Sequence, residues 1–224
     1  PDFKEKANII KLVAEALNYA HSKEIIHRDI KPSNILIKSN GTPILMDFGL
    51  AKSERIDKKL TATGQAIGTP QYMSPEQARG EKKIDKSTDI FSLGVVLYEI
   101  STGRLPFGGN TSLNIIIQII HKYPPLPKDV EPKIPNKLES IILKSMAKNK
   151  DKRYLNAEEM ADDLDSFLNN KRIKAMNGYG INRVRYKISH YQKAISTVFI
   201  AIFFIVSTYL LYFEIGRASC RERV

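Results

Sequence analysis

The sequence predicts a mainly α fold with one small β-hairpin, followed by a single transmembrane helix. Three observations carry that expectation. Apolar residues recur at helical spacing in several separate stretches, an Asn-Gly pair splits two short strand-like runs near residue 40, and residues 194–213 are 20 consecutive uncharged positions dense in Ile, Phe, Val and Leu.

Near the start, Ile9, Leu12, Val13, Ala16, Leu17 and Ala20 recur at helical spacing, with Lys11, Glu15 and Asn18 on the other face, which predicts an amphipathic helix. Ile35 to Lys38 and Pro43 to Met46 then flank Ser39, Asn40, Gly41 and Thr42. A two-residue turn at Asn40-Gly41 would pair positions whose numbers sum to 81, setting Asn34 opposite Asp47 with Cα atoms roughly 5 Å apart. Leu50 to Met73 holds no sustained apolar period and reads as a loop. A helix is expected over Asp89 to Ser101, stopped near Gly103, and the apolar run Phe91 to Leu97 makes it a buried one. Helices over Leu113 to His121, Leu138 to Ala147 and Ala157 to Leu168 follow, the last capped by Asn156, with Pro124 to Pro135 as a loop between.

The chemistry concentrates in His27-Arg28-Asp29-Ile30-Lys31-Pro32-Ser33-Asn34 and in Asp47-Phe48-Gly49. An amide oxygen and a carboxylate side by side, as Asn34 and Asp47 would be, suit Mg²⁺, a hard cation that shares its oxygen ligands with nucleotide phosphates. Asp29 sits one short loop upstream of them. His27 reads as a structural histidine beneath the loop, and His121 as a surface residue.

These segments resemble the catalytic loop and metal-binding motif of Hanks-type (eukaryotic-like) Ser/Thr protein kinases, in particular the bacterial membrane-anchored class. The resemblance covers residues 1–172 and implies the C-terminal lobe of a kinase domain. It implies that Asp29 accepts the proton of a substrate hydroxyl, that Lys31 neutralises charge on the transferred phosphoryl group, and that Asn34 and Asp47 hold Mg²⁺ against ATP. Lys31, with Thr69 of Gly68-Thr69-Pro70 in the substrate platform, resembles Ser/Thr rather than Tyr kinases. Arg28 would pair with a phosphate placed on Thr61 or Thr63 of the following loop. Ser74-Pro75-Glu76 stands where the family usually has Ala-Pro-Glu. By the same resemblance Glu76 forms a buried ion pair with Arg153, and Asp89 braces the catalytic loop. The implied partners are ATP, protein substrates and a second copy of the chain for autophosphorylation.

Nothing upstream of Asp29 resembles a glycine-rich phosphate loop or a strand lysine with its glutamate partner. The expectation is therefore a C-terminal lobe alone, with little or no phosphoryl transfer by these 224 residues although the parent protein is a kinase. Two other functions compete with this reading. A pseudokinase scaffold typically has a damaged catalytic or metal position, whereas Asp29, Asn34 and Asp47 are all present. A small-molecule phosphotransferase would not carry Lys31, Gly68-Thr69-Pro70 and Ser74-Pro75-Glu76.

Net charge is +11, and residues 171–193 hold seven basic and no acidic residues. Such a patch could meet nucleic acid, but the uncharged run that follows points to a basic juxtamembrane linker (173–193), a transmembrane helix (194–213) and a cytoplasmic kinase lobe in the cell membrane. No nucleic-acid partner is expected. Residues 214–224 read, codon by codon, like a translated short-read sequencing adapter and are set aside with Cys220, the one cysteine. What remains has no disulfide or cysteine metal site, in keeping with a reducing compartment.

Overall fold

The computed structural model describes residues 2–48 and 70–221. Helix α1 (Phe3–Ser22) starts at Asp2, whose side chain accepts the Lys4 backbone N–H at 2.8 Å. Ala7, Ile10, Val13, Ala14, Leu17 and Ala20 form its buried stripe, while Ile9 and Leu12 are half-buried and Ala16 is exposed. The inward face is thus turned slightly from the one the sequence suggests, with alanines allowing close approach to the neighbouring helices.

Strands β1 (Ile35–Ile37) and β2 (Pro43–Leu45) form the antiparallel hairpin. Its register differs from the predicted one. Ile35 pairs with Leu45, Leu36 with Ile44 and Ile37 with Pro43, so paired numbers sum to 80 and not 81. The cause is in the turn: Lys38 N–H bonds to Thr42 O at 3.0 Å, Gly41 N–H bonds to Lys38 O at 2.9 Å, and Gly41 takes φ +81°. Ser39, Asn40 and Gly41 therefore make a three-residue loop with glycine in the left-handed position, instead of a two-residue turn. Asn34 consequently meets Met46, whose N–H donates to Asn34 O at 2.9 Å, and not Asp47.

After α2 (Pro75–Ala78) comes the central helix α3 (Ser87–Thr102), closed by Gly103 in the left-handed conformation at φ +71°. Ile90, Phe91, Leu93, Val95 and Leu97 are fully buried, each contributing about 1.5–3 kcal/mol through burial. Helix α3 packs between α1 and α6 (Asn136–Ser145), and it comes so close to α6 that a Cβ at Gly94 would collide with Ser145. Helices α4 (Ser112–His121) and α7 (Ala157–Leu168) complete the lobe, α7 lying along α1 and capped by Asn156, which accepts Glu159 N–H at 2.8 Å. The proline-rich loop holds one helical turn that the sequence reading missed, α5 (Pro127–Val130), started by a proline whose φ is already helical.

Helix α8 (Tyr179–Arg221) includes most of the predicted linker and the whole apolar run. Its first turns are docked on the lobe. Tyr186 is buried beside Leu126 and Leu143 with its ring centroid 4.7 Å from that of Tyr123, Tyr179 Oη donates to Glu139, and Arg183 lies 3.6 Å from Glu139 and 4.0 Å from Asp129. Farther along, Phe199, Ile202, Phe203 and Ile205 are exposed. Among the described residues, no helix is long and apolar enough to cross a membrane.

Lys148 lies behind α3 with its Nζ 4.1 Å from the Phe107 ring centroid, donating to Ile119 O, and no carboxylate pairs with it among the described residues. Burial, helped by the charges of Arg153 and Arg79, pushes its amine from 10.5 down to about 7. Between those values the unfolded chain binds more protons than the folded one, so this group's contribution to stability rises with pH across that window. Lys148→Met should therefore be more stable than the parent at pH 6, with the advantage shrinking by about 2 kcal/mol by pH 9. Chemical denaturation at the two pH values measures this, and a pH-independent difference would contradict it.

Candidate active site

The loop between α1 and β1 is held from below by one carboxylate. Asp89, fully buried in the first turn of α3, accepts His27 N–H at 2.9 Å on Oδ2 and Arg28 N–H at 2.8 Å on Oδ1. The His21 imidazole Nε2 lies 2.7 Å from the same Oδ2. With its backbone tied down in this way, Arg28 adopts φ +63°, a left-handed conformation that a non-glycine side chain rarely takes. The His27 ring is buried. It accepts Asp29 N–H at 3.3 Å on Nδ1, donates from Nε2 to Met46 O at 2.8 Å, and stacks at a tilt on Phe48, with centroids 4.8 Å apart. That is a structural use of the ring, joining the loop to the end of the hairpin.

Asp29, so positioned, is flanked by two of the residues singled out in the sequence. Lys31 Nζ lies 3.0 Å from Asp29 Oδ2. Asn34 closes a short 3₁₀ turn (Pro32–Asn34) begun by a proline, and its buried Nδ2 donates to Asp29 O at 2.8 Å and to Asp29 Oδ2 at 3.2 Å. The Asn34 nitrogen is thereby committed, leaving its amide oxygen as the atom for a cation. Asp47 lies just past β2, exposed, at φ +57°. The one-residue register shift removes it from direct opposition to Asn34, and the left-handed backbone at Asp47 redirects the chain there. One amide oxygen and one exposed carboxylate match Mg²⁺, which keeps several water and phosphate ligands and does not need an all-protein cage. Among the described residues there is no cluster of three or more His, Cys, Asp or Glu side chains suited to a metal.

Arg153 and Glu76 meet through two parallel bonds, Nη1 to Oε1 at 2.6 Å and Nη2 to Oε2 at 2.7 Å, and Arg153 also donates to the Ala147 and Ser87 carbonyls. Burial works against the Glu76 carboxylate, but the Arg153 hydrogen bonds and charge outweigh it and hold the group below its ordinary range. The Arg28 Nε is buried with no hydrogen-bond partner among the described residues. Thr61, Thr63 and Thr69 lie outside those residues.

Some participants escaped the sequence reading. Tyr72 Oη donates to Glu99 Oε2 at 2.7 Å, and burial together with that carboxylate pushes the phenol up. Twenty-seven positions separate the two, so no local spacing reveals them. Ser74, where the family usually has alanine, caps α2, with Gln77 N–H donating to its Oγ at 3.3 Å and Ser74 N–H donating to Gln77 Oε1 at 3.0 Å. That capping box was legible as Ser-x-x-Gln.

The protein kinase domain family matches residues 2–176 of this arrangement. The chain belongs to that family. It is 44% identical over 157 residues to the serine/threonine-protein kinase PknB of Mycolicibacterium smegmatis, covering 70% of this chain and 25% of that protein. It is 42% identical over 161 residues to the serine/threonine-protein kinase PrkC of Bacillus subtilis, covering 72% and 24%. The chain thus spans about a quarter of the length of the curated kinases it matches. The match ends at Met176, just before α8 of this kinase lobe.

Proposed function

We propose that the protein to which these residues belong phosphorylates Ser and Thr side chains of proteins, using ATP and Mg²⁺. The observation that carries this reading is the cluster of Asp29, Lys31 and Asn34 on a loop braced by Asp89. Asp29 accepts the substrate hydroxyl proton and aims its oxygen for in-line attack, and Lys31 offsets charge gathering on the transferred phosphoryl group. Asn34 and Asp47 hold the divalent cation, which when bound neutralises phosphate charge. On this reading Thr69 belongs to the substrate platform, and Arg28 pairs with phosphate on Thr61 or Thr63, added by a second copy of the chain. The 224 residues hold the proton acceptor and the cation ligands but no glycine-rich phosphate loop, and by themselves they transfer little or no phosphate. Mass spectrometry of the intact enzyme after incubation with Mg-ATP should find phosphate on Thr61 or Thr63. Neither residue modified in an active preparation would end the switch role.

We further propose that residues 194–213 cross the cell membrane once, with the kinase lobe on the cytoplasmic side. The support is the 20-residue uncharged run, the exposed Val198, Phe199, Ile202, Phe203 and Ile205 along the helix, and the seven basic residues just before it. Residues 214–224 are set apart as adapter-derived. Flotation with vesicles should carry the full chain to the lipid layer and leave a chain ending at residue 193 behind. Equal distribution of the two would count against the span.

A further inference from the structure

We propose that Gln77 is a positioning residue for Asp29, acting through the Arg28 carbonyl. This rests on the role given to Asp29 above. The peptide unit joining Arg28 to Asp29 sets the direction in which the Asp29 side chain leaves the loop, and both of its polar atoms are held. Its N–H donates to His27 Nδ1 at 3.3 Å, and its carbonyl oxygen accepts Gln77 Nε2 at 2.8 Å. On the other side of Arg28, the N–H is held by Asp89. A left-handed backbone at a non-glycine residue persists only where its surroundings over-determine it, and around Arg28 three side chains do so, those of His27, Gln77 and Asp89.

Gln77 is itself fixed. Its Oε1 accepts Ser74 N–H at 3.0 Å, which assigns the other end of the amide, Nε2, as donor to Arg28 O. Ser74 is anchored in turn by its Oγ, 2.7 Å from Thr88 Oγ1, one residue before Asp89. The path Thr88, Ser74, Gln77, Arg28 O therefore starts beside the carboxylate that holds the Arg28 N–H and arrives on the opposite side of the same residue. Through it α2, which follows the substrate-platform segment, is tied to the proton acceptor. Glutamine suits the place because it accepts at one end and donates at the other. Glutamate keeps the shape but, when ionised, sets an acceptor against an acceptor.

The test uses the intact enzyme with Gln77→Glu, Gln77→Ala and the parent. With peptide substrate and saturating Mg-ATP, Gln77→Glu should lose about ten- to a hundredfold in kcat at pH 8 with the KM for ATP unchanged. Its kcat relative to the parent should recover as pH falls through the range in which the introduced carboxyl takes up a proton and can again donate to the Arg28 carbonyl. Gln77→Ala should be slow at every pH. Amide exchange at Asp29 and Ile30 should quicken in both variants while α3 amides stay protected, a readout that needs no activity and reports a variant that fails to fold. Parent-like kcat in Gln77→Glu at pH 8, or a loss that does not respond to pH, overturns the proposal. Failure of the Asp29 role itself would appear separately, as retained turnover in Asp29→Asn.

Discussion

Asp29→Asn in the intact enzyme should lower kcat by about a thousandfold while Tm moves by no more than a few degrees. Asparagine keeps the size of the side chain and can still accept the Asn34 Nδ2 hydrogen bond, so the loop geometry survives. It cannot accept a proton from a substrate hydroxyl at neutral pH. The stability cost is small because Asp29 and Lys31 are both partly open to water, at 22% and 23% side-chain exposure, and such pairs contribute about 1 kcal/mol or less. Steady-state kinetics beside a thermal melt separate the two effects. Turnover within tenfold of the parent would remove Asp29 from the chemistry, and a collapsed melt would recast it as structural.

Arg153→Ala should act in the opposite way, on the fold before the chemistry. The guanidinium is fully buried and makes two bonds to Glu76 and others to the Ala147 and Ser87 carbonyls, so its removal leaves the Glu76 carboxylate buried without its cation and takes a donor from each of the two carbonyls. Breaking a buried pair from one side costs about 3–5 kcal/mol, a large part of the roughly 5–15 kcal/mol that holds a domain together. The expected result is an insoluble or non-cooperatively melting protein. Glu76→Gln should be milder, since the amide oxygen still accepts from Arg153. The depressed Glu76 carboxyl adds an acid limb: its stabilisation is present above its unfolded value of 4.5 and is lost as pH falls through the lower folded value. Soluble Arg153→Ala protein with a sharp transition and merely slower turnover would contradict this account.

The main helices were legible from the sequence because their signals are local, whereas the role given to Asp29 and the pairing of Arg153 with Glu76, 77 positions apart, came from the family resemblance. The period of α1, the apolar run of α3 and the Asn156 cap each sit within a few turns of chain. Local signals failed where one residue of freedom remained. Asn40-Gly41 marks a turn but does not say whether Ser39 joins it, and that choice moved Asn34 from Asp47 to Met46. They failed again where partners are distant in sequence. Gln77 to Arg28 spans 49 positions and Tyr72 to Glu99 spans 27, and neither pair carries a periodic or charge signature. The basic residues after Lys171 were read by charge alone as a linker, while Tyr179, Arg183 and Tyr186 were using the same stretch to dock on α6.

That docking sets the mechanics of the whole chain. From Tyr186, wedged beside Leu143, to the start of the apolar run at Ala194 is eight residues of continuous helix, about 12 Å. On the proposed membrane span, so short and stiff a spacer would keep the lobe at the lipid surface. On the same proposal it would work as an axle and not a tether: a turn of the helix about its own axis on the far side would swing Asp29 through the same angle.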